Sequence, residues 1–288
     1  MMTPDQRYFF DLTGYLHLEG VLQGEELKKA QEAAQRYIDT PPDQVPDGFE
    51  INLEREHFNW YLHAFAFDKA LEALTMHPVT WPIIKELLDE QPRLLGGNMM
   101  VDFHGKPFHP LHAGHEKSLT AEVPGWRRYQ VHNNRISCND LVFFFYLTDV
   151  NPGDGGLIIL PGSHKANFQR PKELFYPNSY IDGTYNNEFN SSEVPEGITN
   201  FNPRAGDVVL ISELVVHGAL SWRPKDRDRR FLTLRYMQQH ESVRGRGDLR
   251  CFSDEVCARL SPETLELAEP APFDHTKEIV RRDGVALS

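Results

Sequence analysis

Four histidines fall within one short stretch, FHGKPFHPLHAGHEK: His104, His109, His112 and His115. Neutral imidazole is the commonest protein ligand for transition metals, so this density is the first chemical signal in the chain. The four cannot all be ligands, because side chains alternate between the two faces of a strand. Taken singly, each also fits a surface or capping histidine. A fifth, His217 in VVHGALSW, comes after the apolar run SELVV and on its own fits a satisfied core histidine. Between them runs LVFFFYLTDVNPGDGGLIILPGSHK. It reads as a strand ending at Leu147, a Gly/Asp-rich turn, a strand to Leu160, and a tight turn at Pro161-Gly162-Ser163-His164. Past His217 lies a basic stretch holding Arg223, Lys225, Arg227, Arg229 and Arg230.

The surrounding pattern says what positions these groups. In GEELKKAQEAAQRYI, Leu27, Ala30, Ala34, Tyr37 and Ile38 recur at helical spacing, and the prolines after Thr40 stop the run. A second helical stretch covers about 68–89, with a break near Pro78. From about Pro92 the texture changes. LLGGNMMVDF, LVFFFYL, GLIIL, DVVLI and RFLTLRY alternate with Pro/Gly/Asp/Asn clusters, the pattern of a β-sandwich or barrel. The aromatic run Phe143-Phe144-Phe145-Tyr146 reads as sheet packing on alternate faces, and Asn98 and Met100 belong to a strand expected to face a cavity. The polar, turn-rich segment 166–200 predicts a lid or substrate-binding insertion. A short helix and a surface strap are expected after 258. No internal repeat or linker interrupts the 288 residues, so one domain is expected: a helical layer over about 1–91, a β-core over about 92–240 and a tail over about 241–288.

Composition narrows the partners. A net charge of −12, from 30 Lys+Arg against 42 Asp+Glu, argues against a nucleic-acid groove or an anionic membrane surface. No apolar run approaches the ~18 residues of a membrane span, and MMTPDQRYFFDL lacks the basic and apolar regions of a signal peptide. Cys138, Cys251 and Cys257 form neither a disulfide scaffold nor a C-x-x-C zinc pattern, and suit a reducing cytoplasm. A small-molecule partner is expected; the oligomeric state is not legible.

LTDVNPGDGGLIILPGSHK resembles the hallmark of the phytanoyl-CoA dioxygenase-like family of iron(II)/2-oxoglutarate-dependent oxygenases. The likeness extends to FDLTGYLHLEGVLQGEEL, similar to the family's opening strand and helix, and to FNPRAGDVVLISELVVHGALSWRPKDRDRRFLTLRY, similar to its closing strands. The resemblance implies an α+β chain with a double-stranded β-helix (jelly-roll, cupin-like) core and an N-terminal helical layer. It also implies an enzyme that uses Fe(2+), 2-oxoglutarate and dioxygen to oxidise an unactivated C–H bond of a small molecule, releasing succinate and CO2. In the family, two imidazoles and one carboxylate hold the iron. By order His217 matches the distal histidine and His112 the proximal one, with His109 and His115 as rivals. The family's 2-oxoglutarate anchor matches Arg229, whose planar fork suits a carboxylate; Arg230 is the adjacent alternative on the other face. Tyr146, Phe144 and Asn98 are candidates to line the co-substrate pocket, His164 a turn residue, and Trp126, Arg127 and Arg128 a loop that could close over the site.

The sequence departs from the family at one ligand: it reads His112-Ala113-Gly114 where the family has His-x-Asp or His-x-Glu. Glycine has no side chain to donate. In one reading an exogenous ligand stands in, as chloride does in the related halogenases; water there supports hydroxylation instead. In a second, Glu116 reaches in, with His115 as its partner. In a third the site is a relic on a ligand-binding relative. Ala219, two positions after His217, is a smaller departure, since some relatives carry Ser or Thr there.

Overall fold

The computed structural model describes residues 1–55, 57–113, 128–241, 252–282, 284, 285 and 287. Helix α1 (Pro4–Thr13) starts at a capping box, in which Thr3 and Gln6 each bond the other's backbone N–H, with Pro4 supplying the helix-ready φ. It leads into β1 (Tyr15–Leu18) and α2 (Gly24–Asp39), the amphipathic helix anticipated from periodicity. A hairpin not foreseen in the sequence follows, β2 (Ile51–Arg55) and β3 (Phe58–Tyr61). Helices α3 (Ala64–Phe67), α4 (Lys69–Glu72) and α5 (Trp81–Leu87) complete the helical layer.

The β-rich part comprises β4 (Pro92–Asp102), β5 (His109–His112), β6 (Tyr129–His132), β7 (Arg135–Cys138), β8 (Asp140–Tyr146), β9 (Gly156–Leu160), β10 (Tyr180–Ile181), β11 (Thr184–Tyr185), β12 (Thr199–Asn200), β13 (Val208–Ser212), β14 (Val216–Leu220) and β15 (Arg229–Gln238). A seven-stranded sheet has the order β1-β13-β8-β15-β4-β3-β2, and a four-stranded sheet the order β12-β9-β14-β5. All pairings within them are antiparallel. Inner-face residues of both sheets share one apolar cluster: Val142, Tyr146, Val209, Ile211 and Phe231 from the large sheet meet Leu157 and Ile159 from the small one. The fold is thus α+β, a double-stranded β-helix under a helical layer.

The two faces of the large sheet differ sharply. On its outer face Met99, Val101, Phe143, Phe145, Leu232 and Leu234 are buried under α2–α5 and the C-terminal helices α6 (Asp254–Cys257) and α7 (Pro262–Ala268). Each such side chain contributes roughly 1.5–3 kcal/mol of burial. On the inner face Asn98, Met100, Phe144, Thr233 and Arg235 stay only half-buried at the centre of the sheet. Close packing would have sealed them, so the sheets part here and leave an open interior between them. Segment 166–200, expected as a lid, instead packs largely on the outer face of the small sheet, where Tyr176 and Phe189 meet Phe108. The expected short C-terminal helix is present as α7, which packs into the core through Leu267.

Candidate active site

His217 does not follow the strand SELVV. The strand β13 ends at Ser212, residues 213–215 cross to the other sheet, and His217 is the second residue of β14. An apolar run spanning both elements hid this break. The crossing is held by Ser163 of the PGSH turn, whose hydroxyl donates to Leu160 O (2.7 Å) and accepts from Val216 N (2.7 Å). Val216 is the residue before the histidine, so the turn sets where His217 starts. That role was not read from the sequence.

His217 pairs in register with His112 on β5 and with Ile159 on β9, which places all three side chains on the inner face. The two imidazoles lie with ring centroids 4.3 Å apart, inclined at 52°. Each has a backbone carbonyl two residues behind it: His112 Nδ1 bonds Pro110 O (2.9 Å) and His217 Nδ1 bonds Val215 O (2.8 Å). A carbonyl only accepts, so each Nδ1 carries a proton, and in the neutral ring Nε2 carries the lone pair. Burial, then the neighbouring His217, push the His112 pKa down to about 4, which keeps that ring neutral near pH 7. Two imidazoles fixed through Nδ1 and facing one another suit a borderline transition-metal cation such as iron(II).

Among the described residues β5 is an edge strand, and it carries an extra residue opposite β14, since His217↔His112 is followed by Ala219↔His109. The bulge presses into β14 at Gly218: a Cβ there would lie 2.6 Å from His109 O. Only glycine leaves room for the two histidine strands to close up.

Arg229 opens β15 on the inner face, opposite Asp102 of β4, and is 3% exposed rather than part of a surface patch. Its Nε donates to Asp102 Oδ2 (2.7 Å) and its Nη2 pairs with the same oxygen, while Lys106 Nζ holds Oδ1 at 2.9 Å. Burial alone would raise the Asp102 pKa, but the two cations and their hydrogen bonds reverse this and hold it below the ordinary carboxylate range. Nη1 is left over, bonding no group among the described residues and lying against Gly156 of β9, whose φ of 86° and missing side chain admit it. Arg229 therefore bridges the two sheets with one arm available and not the whole fork. Arg230 points the other way, onto Asp228 and Gln35 of the helical layer.

Tyr146 lies inward against Phe231 (ring centroids 5.6 Å apart), and burial pushes its phenol up to about 12, so it stays a neutral donor. Asn98 faces the open interior with Oδ1 accepting from His63 N (3.1 Å). Phe144 and Met100 line the same face. Two charged residues there were missed: Arg235, 43% exposed at its side chain, and Glu213, 9% exposed, paired at 3.0 Å. The signal was present in RFLTLRY, where Thr233 and Arg235 break the apolar alternation of a buried strand. Asp102, within MMVDF, carries the same kind of signal.

Other candidates fall elsewhere. His104 is exposed, with Nδ1 bonded to Arg223 O (2.7 Å). His109 stacks edge-on to His112 (4.8 Å) and Tyr185 on the exposed flank. His164 is buried against Tyr129 (4.5 Å), and Arg128 pairs with Glu241 at 3.1 Å. Gly114, His115, Glu116, Trp126 and Arg127 lie outside the described residues. Among the described residues no third His, Cys, Asp or Glu joins the His112–His217 pair.

Known proteins agree with this architecture. HygX from Streptomyces hygroscopicus, solved with iron bound, superposes with a TM-score of 0.62 at 22% identity over 82% of this chain and 87% of its own. SnoN, a non-heme alpha ketoglutarate dependent epimerase from nogalamycin biosynthesis, gives 0.57 at 18% over 84% and 85%. EctD from S. alaskensis, with 2-oxoglutarate and 5-hydroxyectoine, gives 0.57 at 17% over 83% and 77%. At these identities the likeness concerns the fold. No curated protein matches the sequence. The family profile described as phytanoyl-CoA dioxygenase (PhyH) matches residues 10–231, from α1 through the opening of β15, and so spans both histidines and Arg229. The chain belongs to the phytanoyl-CoA dioxygenase family and is an iron(II)- and 2-oxoglutarate-dependent oxygenase.

Proposed function

We propose that residues 1–288 work as one oxygenase unit in the cytoplasm, with His112 and His217 holding iron(II) and Arg229 receiving 2-oxoglutarate, to oxidise an unactivated C–H bond of a small molecule. The facing imidazoles carry this reading: two Nε2 lone pairs directed inward, each fixed by a carbonyl behind it. When bound, iron(II) with 2-oxoglutarate and dioxygen supplies the oxidising power to break a C–H bond, with release of succinate and CO2. The chain supplies position. Arg229 Nη1 and the Tyr146 hydroxyl, which bonds no described group, would donate to the far carboxylate of 2-oxoglutarate. Phe144, Phe231 and Met100 keep water from the interior, and Asn98 offers its amide on the wall.

The substrate takes the side of the histidines away from Arg229. His217 stands four residues after Glu213 and three before Leu220, the partner of Gly156 that Arg229 touches. Arg229 and Arg235 share one face of β15 and are separated by roughly 20 Å of strand. Glu213 raises the Arg235 pKa, so the guanidinium stays charged, with donors left for oxygen acceptors of the substrate. Small-molecule oxidation is also supported by neighbours bound to hygromycin B and to 5-hydroxyectoine.

One residue favours a second reading: Gly114. With no side chain at the family's carboxylate position, a chloride ligand would turn the enzyme into a halogenase. Anaerobic titration of iron(II) and 2-oxoglutarate tests both. A weak visible charge-transfer band is expected, lost in His112→Ala and His217→Ala; its absence from the wild-type chain at millimolar co-substrate would refute the oxygenase site. A shift of that band on adding chloride favours halogenation, and indifference favours hydroxylation.

A further inference from the structure

β5 carries His112 yet, among the described residues, is the outermost strand of its sheet and pairs on one side only. Edge strands leave a row of backbone groups that must find other partners when buried. Leu111, the residue just before His112, is 2% exposed. Its carbonyl accepts two hydrogen bonds, from Arg170 Nη2 (2.6 Å) and from Tyr180 OH (2.8 Å). Both donors are buried and both belong to segment 166–200. Arg170 is itself locked, because its Nη1 donates to Pro171 O and Lys172 O at 3.0 Å each. Tyr180 is held by a ring contact to Tyr185 (5.2 Å) and by Lys172 above its face (5.2 Å). Tyr185 in turn meets His109, and His109 meets His112.

From this we infer that Arg170 and Tyr180 are positioning residues for His112: they clamp the free edge of its strand and so set where its imidazole stands relative to His217. The inference rests on the metal-site reading above and adds a part to it. Ring stacking alone cannot do this work, since β5 is only four residues long and bulged against β14. The clamp also explains why a long polar segment packs behind the site: it substitutes for the next strand. The small hairpin β10–β11 that carries Tyr180 is then a support for the metal ligand, and a change in that hairpin reaches His112 through a single carbonyl.

Cobalt(II) binding to the metal-free protein tests the idea without turnover. In Tyr180→Phe and Arg170→Met, the cobalt dissociation constant should rise about 10–100-fold, the range for loss of an outer partner of a ligand. The visible cobalt band should shift, while the melting temperature of the metal-free protein stays close to wild type in Tyr180→Phe. Arg170→Lys, which keeps one donor within reach of Leu111 O, should recover most of the affinity. Unchanged affinity and spectrum in both single variants would overturn the clamp, as would an affinity loss in Arg170→Met that Arg170→Lys does not relieve. His112→Ala separates the two readings: if it binds cobalt like wild type, the metal site itself is wrong.

Discussion

Replacing Asp102 by Asn tests the charge arithmetic of the interior. The wild-type carboxylate is wholly buried and shared by two cations, Arg229 and Lys106. Asp102→Asn removes the charge that Arg229 and Lys106 share inside the protein, and breaking a buried pair in this way costs about 3–5 kcal/mol. At roughly 2.1 cal/mol/K per residue, a chain of 288 residues unfolds with an entropy of about 0.6 kcal/mol/K, so the melting temperature should fall by about 5–8 °C. Arg229→Met is the contrast. It leaves one cation facing one anion, keeps an apolar stem against Trp222 and Phe231, and should cost less than half as much while removing 2-oxoglutarate binding. The pH dependence has a defined sign. The folded-state pKa of Asp102 lies below its unfolded value of about 3.9. Its contribution is therefore complete above that value and is lost as pH falls through the folded pKa. Differential scanning fluorimetry should show a constant gap between wild type and Asp102→Asn from pH 9 to 5, narrowing only below about pH 4. If Arg229→Met melts lower than Asp102→Asn, or the gap closes near neutrality, the assignment of Asp102 as the shared counter-ion fails.

Gly218→Ala would place a Cβ 2.6 Å from a backbone carbonyl. It should destabilise by about 1–3 kcal/mol and weaken cobalt(II) binding; a variant that melts and binds as wild type would show that the two strands are less tightly apposed. His217→Ala and His112→Ala should each lower cobalt(II) affinity beyond the ~10–100-fold typical of outer-partner losses, measured calorimetrically. Arg235→Met should leave the 2-oxoglutarate-dependent visible band intact and raise KM for the organic substrate, whereas loss of the band would move Arg235 to the co-substrate side. Gly114→Asp should abolish any chloride response of that band; a response that survives would mean chloride does not bind beside residue 114.

Local pattern carried much of this protein. Short apolar runs bounded by Pro, Gly, Asp and Asn located β8, β9 and β15, and amphipathic spacing located α2, because each of these signals lies in neighbouring residues. That Arg229 and Arg230 face opposite ways follows from strand alternation, while the choice of Arg229 as the inward one came from the family resemblance. The hairpin β2–β3 was not legible, as INLER and FNWY show little alternation and gain their stability by pairing onto β4. The β13–β14 boundary was hidden for a different reason: VVLISELVVH is apolar on both sides of the crossing, and the break is made by the reach of Ser163 and the pairing to β9.

The candidate residue types, their order along the chain and the His112-Ala113-Gly114 departure from the family's His-x-Asp or His-x-Glu were all legible in the sequence by itself. The tertiary structure decided that His112 of its cluster faces His217, that Asp102 and Lys106 stand behind Arg229, and that Arg170 and Tyr180 hold the Leu111 carbonyl. Each of these depends on strand register and on contacts between residues far apart in the chain. A one-residue slip in such a register turns every side chain to the opposite face, and no local pattern encodes it.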